Sequence, residues 1–250
     1  MSHQYQAIGW NRQKRVYDLV VLAGVMLYIA LFIGLGALLF PYATAETLII
    51  RAAGSAAFLL LHVVLCIGPL CRLDSRFLPL LYNRRHLGVV TFLLGAVHGI
   101  FAIIQFHSLG DKNPLVSLLT SNQNFGSLPD FPFQQLGFLA LVILFLMAAT
   151  SHDFWLRNLT PPIWKTLHML VYVAYALLIG HVTLGLLQSE TSPVLVLATG
   201  AGLVTVLSLH LAAGSRERVV DLKKLTSVGK GFVTPAQWKA FRRSAPQLSP

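Results

Sequence analysis

Six apolar runs dominate this chain: Leu19 to Phe40, Ala52 to Leu70, Leu87 to Phe106, Phe133 to Ser151, Thr166 to Leu187 and Val194 to Ala213. Each is near the length needed to cross about 30 Å of hydrocarbon as a helix of about 20 residues. In lipid every backbone N–H and C=O must be paired within its own segment, so runs of this kind become helices. Composition agrees: 55% hydrophobic and 11% charged over 250 residues is far from an ordinary soluble domain. The expected fold is an all-α integral membrane protein, a bundle of six transmembrane helices.

The spans divide the chain into a basic leader (1–15), one six-helix domain (16–213) and a basic tail (214–250) carrying a short amphipathic stretch, PAQWKAFRR. A sizeable outer loop, 108–132, interrupts the domain, and no repeat or low-complexity tract stands out. The first apolar run is too long for a signal peptide and lacks a small-residue cleavage site, so it reads as a retained span. With the N-terminus on one side, that side collects seventeen of the nineteen Lys and Arg residues and the other holds only Arg51 and Lys112. Positive charge marks cytoplasmic loops, so both termini are expected in the cytoplasm. The formal charge of +10 therefore reads as helix-end charge facing anionic lipid headgroups, not as a nucleic-acid-binding signature.

Only two cysteines occur, Cys66 and Cys71. A single C-x4-C pair makes a poor metal or iron–sulfur signature, and two small buried hydrophobes is the better reading. No acid–base or nucleophilic catalytic group is apparent, because the nine carboxylates lie almost entirely at loops and helix ends.

The histidines carry the chemistry. Of nine, His3, His107 and His152 fall where water can reach them. His62, His98, His168, His181 and His210 lie within spans, and His86 opens the third. Imidazole at membrane depth is costly and usually functional. The third and fifth spans run in the same direction, so His86 can face His168 near the inner side and His98 can face His181 near the outer side. Thirteen residues of helix separate His168 and His181 by roughly 20 Å along the axis, a spacing for two stacked hemes. Each facing pair could hold one porphyrin iron axially between helices 3 and 5, giving a saturated iron suited to moving electrons. Thirteen steps also rotate a straight helix by about 140°, so helix tilt, the local freedom at Gly180 or differing heme approach angles must absorb the turn. His62 is an alternative to His86 as the inner mate of His168, and His210 reads as a packing residue. Arg84 and Arg85 suit heme propionates, although inner-side topology charge predicts the same pair.

The stretches YNRRHLGVVTFLLGAVHGI and WKTLHMLVYVAYALLIGH resemble the ferric reductase-like transmembrane domain, over roughly residues 16 to 213, in the version seen in MsrQ-type heme-binding membrane subunits. The resemblance implies heme ligation by His98, His168 and His181 and a bacterial inner-membrane location. His86 stands where the MsrQ type lacks a histidine, and the outer loop is longer than in that type. After the sixth span there is no Gly-rich dinucleotide fingerprint and no βαβ pattern. Electrons are therefore expected from a separate cytoplasmic flavin or iron–sulfur protein, or from quinol, and should leave to an outer-side redox acceptor.

The leading reading is a b-type transmembrane electron-transfer subunit with two hemes, or one if the inner site is incomplete. A terminal ferric or oxygen reductase is an alternative. A heme-free transporter or assembly factor is an alternative of another class, although no span shows the paired Gly/Pro breaks of inverted repeats.

Overall fold

The computed structural model describes residues 11–81, 83–121, 123–127, 130–189 and 193–230. The stretch PAQWKAFRR and most of the leader lie outside the described residues. The helices are α1 (Arg12–Leu39), α2 (Ala45–Leu73), α3 (Leu78–Leu81), α4 (Arg84–His107), α5 (Pro114–Thr120), α6 (Phe133–Ala149), α7 (Asp153–Asn158), α8 (Pro161–Met169), α9 (Val171–Ser189) and α10 (Pro193–Lys230). A 3₁₀ turn occupies Ser75–Phe77, and there is no strand among the described residues.

Local chemistry sets these boundaries. The Asn11 and Thr44 side chains accept hydrogen bonds from the Lys14 and Thr47 amides and so cap α1 and α2. Proline stands in the first turn of α5 and α8, where its missing N–H costs nothing.

Five helical stretches are long and apolar enough to cross a membrane: Arg12–Leu39, Ala45–Leu73, Arg84–His107, Pro161–Gly185 and Val196–Asp221. The fourth expected span is shorter than read, because α6 has 17 residues and stops at Ala149. The hydroxyls of Thr150 and Ser151 turn back onto the carbonyls of Leu146 and Met147, offering the backbone an exit from the helix. The fifth span is not one straight helix either. The Leu170 amide bonds to Leu167 three residues back, a tightened turn that separates α8 from α9. The irregularity thus falls two residues after His168, whereas Gly180 lies inside regular helix. The last helix continues past Ala213 to Lys230, with Glu217 paired to Arg72 at the end of α2 at 3.3 Å.

α2 is the centre of the bundle, packing against α4, α10 and α1, while α6 packs against α9 and touches α4. Because lipid tails are as apolar as leucine, close helix approach here rests on van der Waals fit and small side chains. Ala52, Ala53 and Ala56 of α2 are all buried. Leu61, Leu65, Val171, Tyr175 and Val206 join α2, α9 and α10 in one cluster. Ile143, Leu144 and Ala174 join α6 to α9 in another. α1 is peripheral, tied to α2 by Tyr28 Oη and Ser55 Oγ at 2.9 Å. The outcome is two helix pairs, α2 with α4 and α6 with α9, with no extensive seam between α4 and α9 among the described residues.

Candidate functional site

Across that gap His98 of α4 and His181 of α9 face each other, ring centroids 6.1 Å apart and planes at 79°. Each ring is held from behind by the partner helix of its own pair. His98 Nδ1 donates to the Ile50 carbonyl of α2 at 3.0 Å, and His181 Nδ1 donates to the Phe133 carbonyl of α6 at 2.9 Å. A carbonyl oxygen can only accept, so the proton sits on Nδ1 and each Nε2 keeps its lone pair. The Phe133 ring also lies against His181, 5.5 Å between centroids. Two glycines make the room. A Cβ on Gly54 would sit 2.6 Å from His98 Nδ1, and one on Gly137 would sit 2.7 Å from His181 Nδ1.

This arrangement fits a metal between the two rings. Imidazoles bound on opposite sides of one ion through bonds of about 2 Å have ring centres roughly 6 Å apart, the separation observed. Anchoring of the distal nitrogen on a backbone carbonyl is the usual support of a metal-bound histidine. The pair lies toward the end of the bundle that carries the 108–132 loop, since Ile50 and Phe133 are near the starts of α2 and α6 and His98 is in the last half of α4. α5 covers part of that end, with His107 Nδ1 bonded to Ser117 Oγ at 3.0 Å and Gln135 Nε2 donating to the Leu118 and Ser121 carbonyls.

The other expected residues gather at the opposite end. His168 Nδ1 lies 3.0 Å from the Trp164 carbonyl one turn earlier, and its ring stacks on Trp164 with centroids 3.8 Å apart. Its Nε2 lies 3.4 Å from Ser151 Oγ. Arg85 bonds to the Ser151 carbonyl at 2.9 Å and to Asp153 at 3.2 Å. The half-buried Arg84 guanidinium lies beside Gly68 and has no hydrogen bond or ion pair among the described residues. His86 is bound through Nδ1 to Asp18 at 2.8 Å, and Asp18 also accepts from Asn83 Nδ2 at 3.0 Å. His86 makes no ring contact with His168 among the described residues.

His62 is committed on both sides. Its Nδ1 donates to Phe58 one turn back at 2.8 Å, which leaves Nε2 to accept from Tyr175 Oη at 3.1 Å. His210 repeats the pattern with Val206 and Tyr172. Neither has a free ring nitrogen. Replacing Tyr175 by Phe removes the donor that His62 Nε2 has among the described residues, inside the α2–α9–α10 core. The expected cost is about 1–3 kcal/mol, read as a lowered unfolding temperature in detergent with cofactor content unchanged.

Inspection of single histidines misses the backbone acceptors Ile50 and Phe133 and the two glycines behind the rings. The signal was present as one spacing used twice, since both carbonyls precede their histidine by 48 residues.

The model of the ferric reductase like transmembrane component matches residues 53–179, a stretch that includes His62, His98 and His168 and ends two residues short of His181. Three relatives are each named protein-methionine-sulfoxide reductase heme-binding subunit MsrQ. The protein of Ralstonia nicotianae is 33% identical over 131 residues, 52% of this chain and 55% of the relative. That of Bordetella pertussis is 32% identical over 168 residues, 67% of this chain and 75% of the relative. That of Herminiimonas arsenicoxydans is 32% identical over 133 residues, 53% of this chain and 56% of the relative. The chain thus spans about half the length of two of these relatives and three quarters of the third. No solved structure matches. With apolar helices of membrane-crossing length and these matches together, the chain is an integral membrane protein and belongs to the ferric reductase like transmembrane component family.

Proposed function

We propose that this protein is a heme-bearing subunit that carries electrons across a membrane, with b-type heme held between His98 and His181. The observation that carries the reading is the facing pair itself: two imidazoles 6.1 Å apart, each with Nδ1 bound to a backbone carbonyl and with no partner for Nε2 among the described residues. Bound there, heme supplies a one-electron carrier whose potential is tuned by burial and by the groups behind its ligands. The chain's own part is to fix both rings and to keep other ligands off the metal.

A second heme belongs to the opposite end in this reading, with His168 as ligand, its Nε2 giving up the long 3.4 Å contact with Ser151 Oγ, and with Arg85 and the Arg84 guanidinium, which has no hydrogen bond or ion pair among the described residues, toward the propionates. His86 is preferred to His62 as the mate of His168. The Asp18 carboxylate holds His86 through Nδ1 and leaves Nε2 available, whereas both nitrogens of His62 are used. The domain is proposed to span residues 16–213 as six membrane-crossing segments, α6 crossing with 17 residues, about 25 Å at 1.5 Å per residue. Seventeen of nineteen basic residues on one side support cytoplasmic termini and a bacterial inner-membrane location. Electrons then run from a cytoplasmic flavin or iron–sulfur donor, or quinol, toward an acceptor on the side of the 108–132 loop. The relatives' name, heme-binding subunit of a protein-methionine-sulfoxide reductase, supports work alongside a partner protein.

The experiment is a visible spectrum of the purified protein, oxidised and dithionite-reduced, with a pyridine hemochrome count. Two b hemes per chain are expected. A single heme would remove the inner site from the proposal, and a colourless, folded protein would end it.

A further inference from the structure

Resting on that reading, we infer that Gly54 and Gly137 are positioning residues that fix the ring planes of His98 and His181 through a local device built twice in the same geometry. In α2, the Ile50 carbonyl and, one turn later, Gly54 meet the His98 ring; in α6, the Phe133 carbonyl and Gly137 meet the His181 ring. The second set lies eighty-three residues beyond the first at all three positions, 50 to 133, 54 to 137 and 98 to 181. The same step carries Ala57 to Ala140, Leu61 to Leu144 and Leu94 to Leu177. The two helix pairs are thus quasi-equivalent halves, each presenting one imidazole to the gap between α4 and α9.

The contact is too close for any side chain. Real Cβ atoms essentially never approach other heavy atoms within 3.0 Å, and the distances here are 2.6 and 2.7 Å to the nitrogen that bonds the carbonyl. The ring cannot back away without leaving that carbonyl or advancing on its partner 6.1 Å across the gap. Alanine at either glycine must therefore turn or push the imidazole, changing the ligand field at the metal as well as the fit of the helices. Closeness to a ring is shared by Gly202, whose Cβ would sit 2.3 Å from His62 Nε2; Gly54 and Gly137 differ in that their imidazoles face each other across the gap. A Cβ on Gly24, Gly34, Gly88 or Gly200 would meet nothing within 4 Å.

The test uses the purified full chain carrying its heme, with Gly54→Ala and Gly137→Ala set against Gly88→Ala and Gly200→Ala. Expected for the first two are about 10- to 100-fold weaker heme retention, the size typical for loss of a ligand's supporting contacts, with shifted low-spin EPR g-values and midpoint potential. The controls should match the parent. A merely structural role would lower thermal stability without moving g-values or potential. Parental g-values, potential and heme content in both Gly54→Ala and Gly137→Ala would overturn the inference. If Gly54→Ala fails to fold, the double variant Gly54→Ala/His98→Gly removes the ring that the methyl strikes. It is expected to recover the yield and unfolding temperature of His98→Gly alone, and failure to recover would equally overturn the inference. That comparison needs no heme, so a colourless parent would sink the functional reading while still leaving the glycine–imidazole contact open to test.

Discussion

Replacing either His98 or His181 by alanine is expected to empty the outer site and lower the hemochrome count from two per chain to one. The two variants should behave alike, because the ligands come from quasi-equivalent halves and a six-coordinate low-spin iron needs both. The fold should survive. Removing the His98 ring leaves the Ile50 carbonyl with only its helical partner within α2 and leaves space beside Gly54, but α2 and α4 still pack through Val64, Ile67 and Leu87. Loss of color is therefore a ligand effect, and His98→Gly with added free imidazole should regain the low-spin spectrum. Full heme content in both alanine variants would show that the cofactor is held elsewhere.

Hydropathy made most of this architecture legible. A residue that faces lipid must be apolar whatever lies on the other side of the helix, so the runs from Leu19 onward mark the helices directly. The alignment of His98 with His181 was legible too, since the third and fifth spans run in the same direction and place these residues at matching depth. Helix ends were less so. Thr150 and Ser151 are polar enough to leave the helix yet small enough to sit in an apolar run. Arg216, Glu217, Arg218 and Asp221, in contrast, end the last apolar run without ending α10, because charged residues are tolerated in a helix and no proline follows Pro193 within it. Least legible were the partners of each polar group. Asp18 and His86 are 68 residues apart, and His62 and Tyr175 are 113 apart. Periodicity says which face of a helix is polar but not which neighbour meets it. The internal repeat escaped for a related reason: Ile50 and Phe133 meet the rings through their carbonyls, which any side chain leaves in place, so only the glycines and histidines of the two sets match in sequence.

The repeat also predicts that the two ends are chemically unlike, which makes His168→Ala the more searching substitution. Eighty-three residues before His168 stands Arg85, and the residue that bears imidazole, His86, is displaced by one position onto Asp18. The outer end thus pairs imidazole with imidazole by symmetry. The inner end sets His168, stacked on Trp164, against a guanidinium held by Ser151 and Asp153. His168→Ala is expected to remove the inner heme and leave the outer spectrum intact. His86→Ala should do the same, since it removes the proposed mate of His168 and strands the Asp18 carboxylate. His62→Ala should keep both hemes and lower the unfolding temperature, because a leucine-lined core loses a buried ring and Tyr175 loses its acceptor, about 2–4 kcal/mol together. Retention of two hemes by His168→Ala would refute the inner assignment. Retention of two hemes by His86→Ala would refute His86 as the mate of His168.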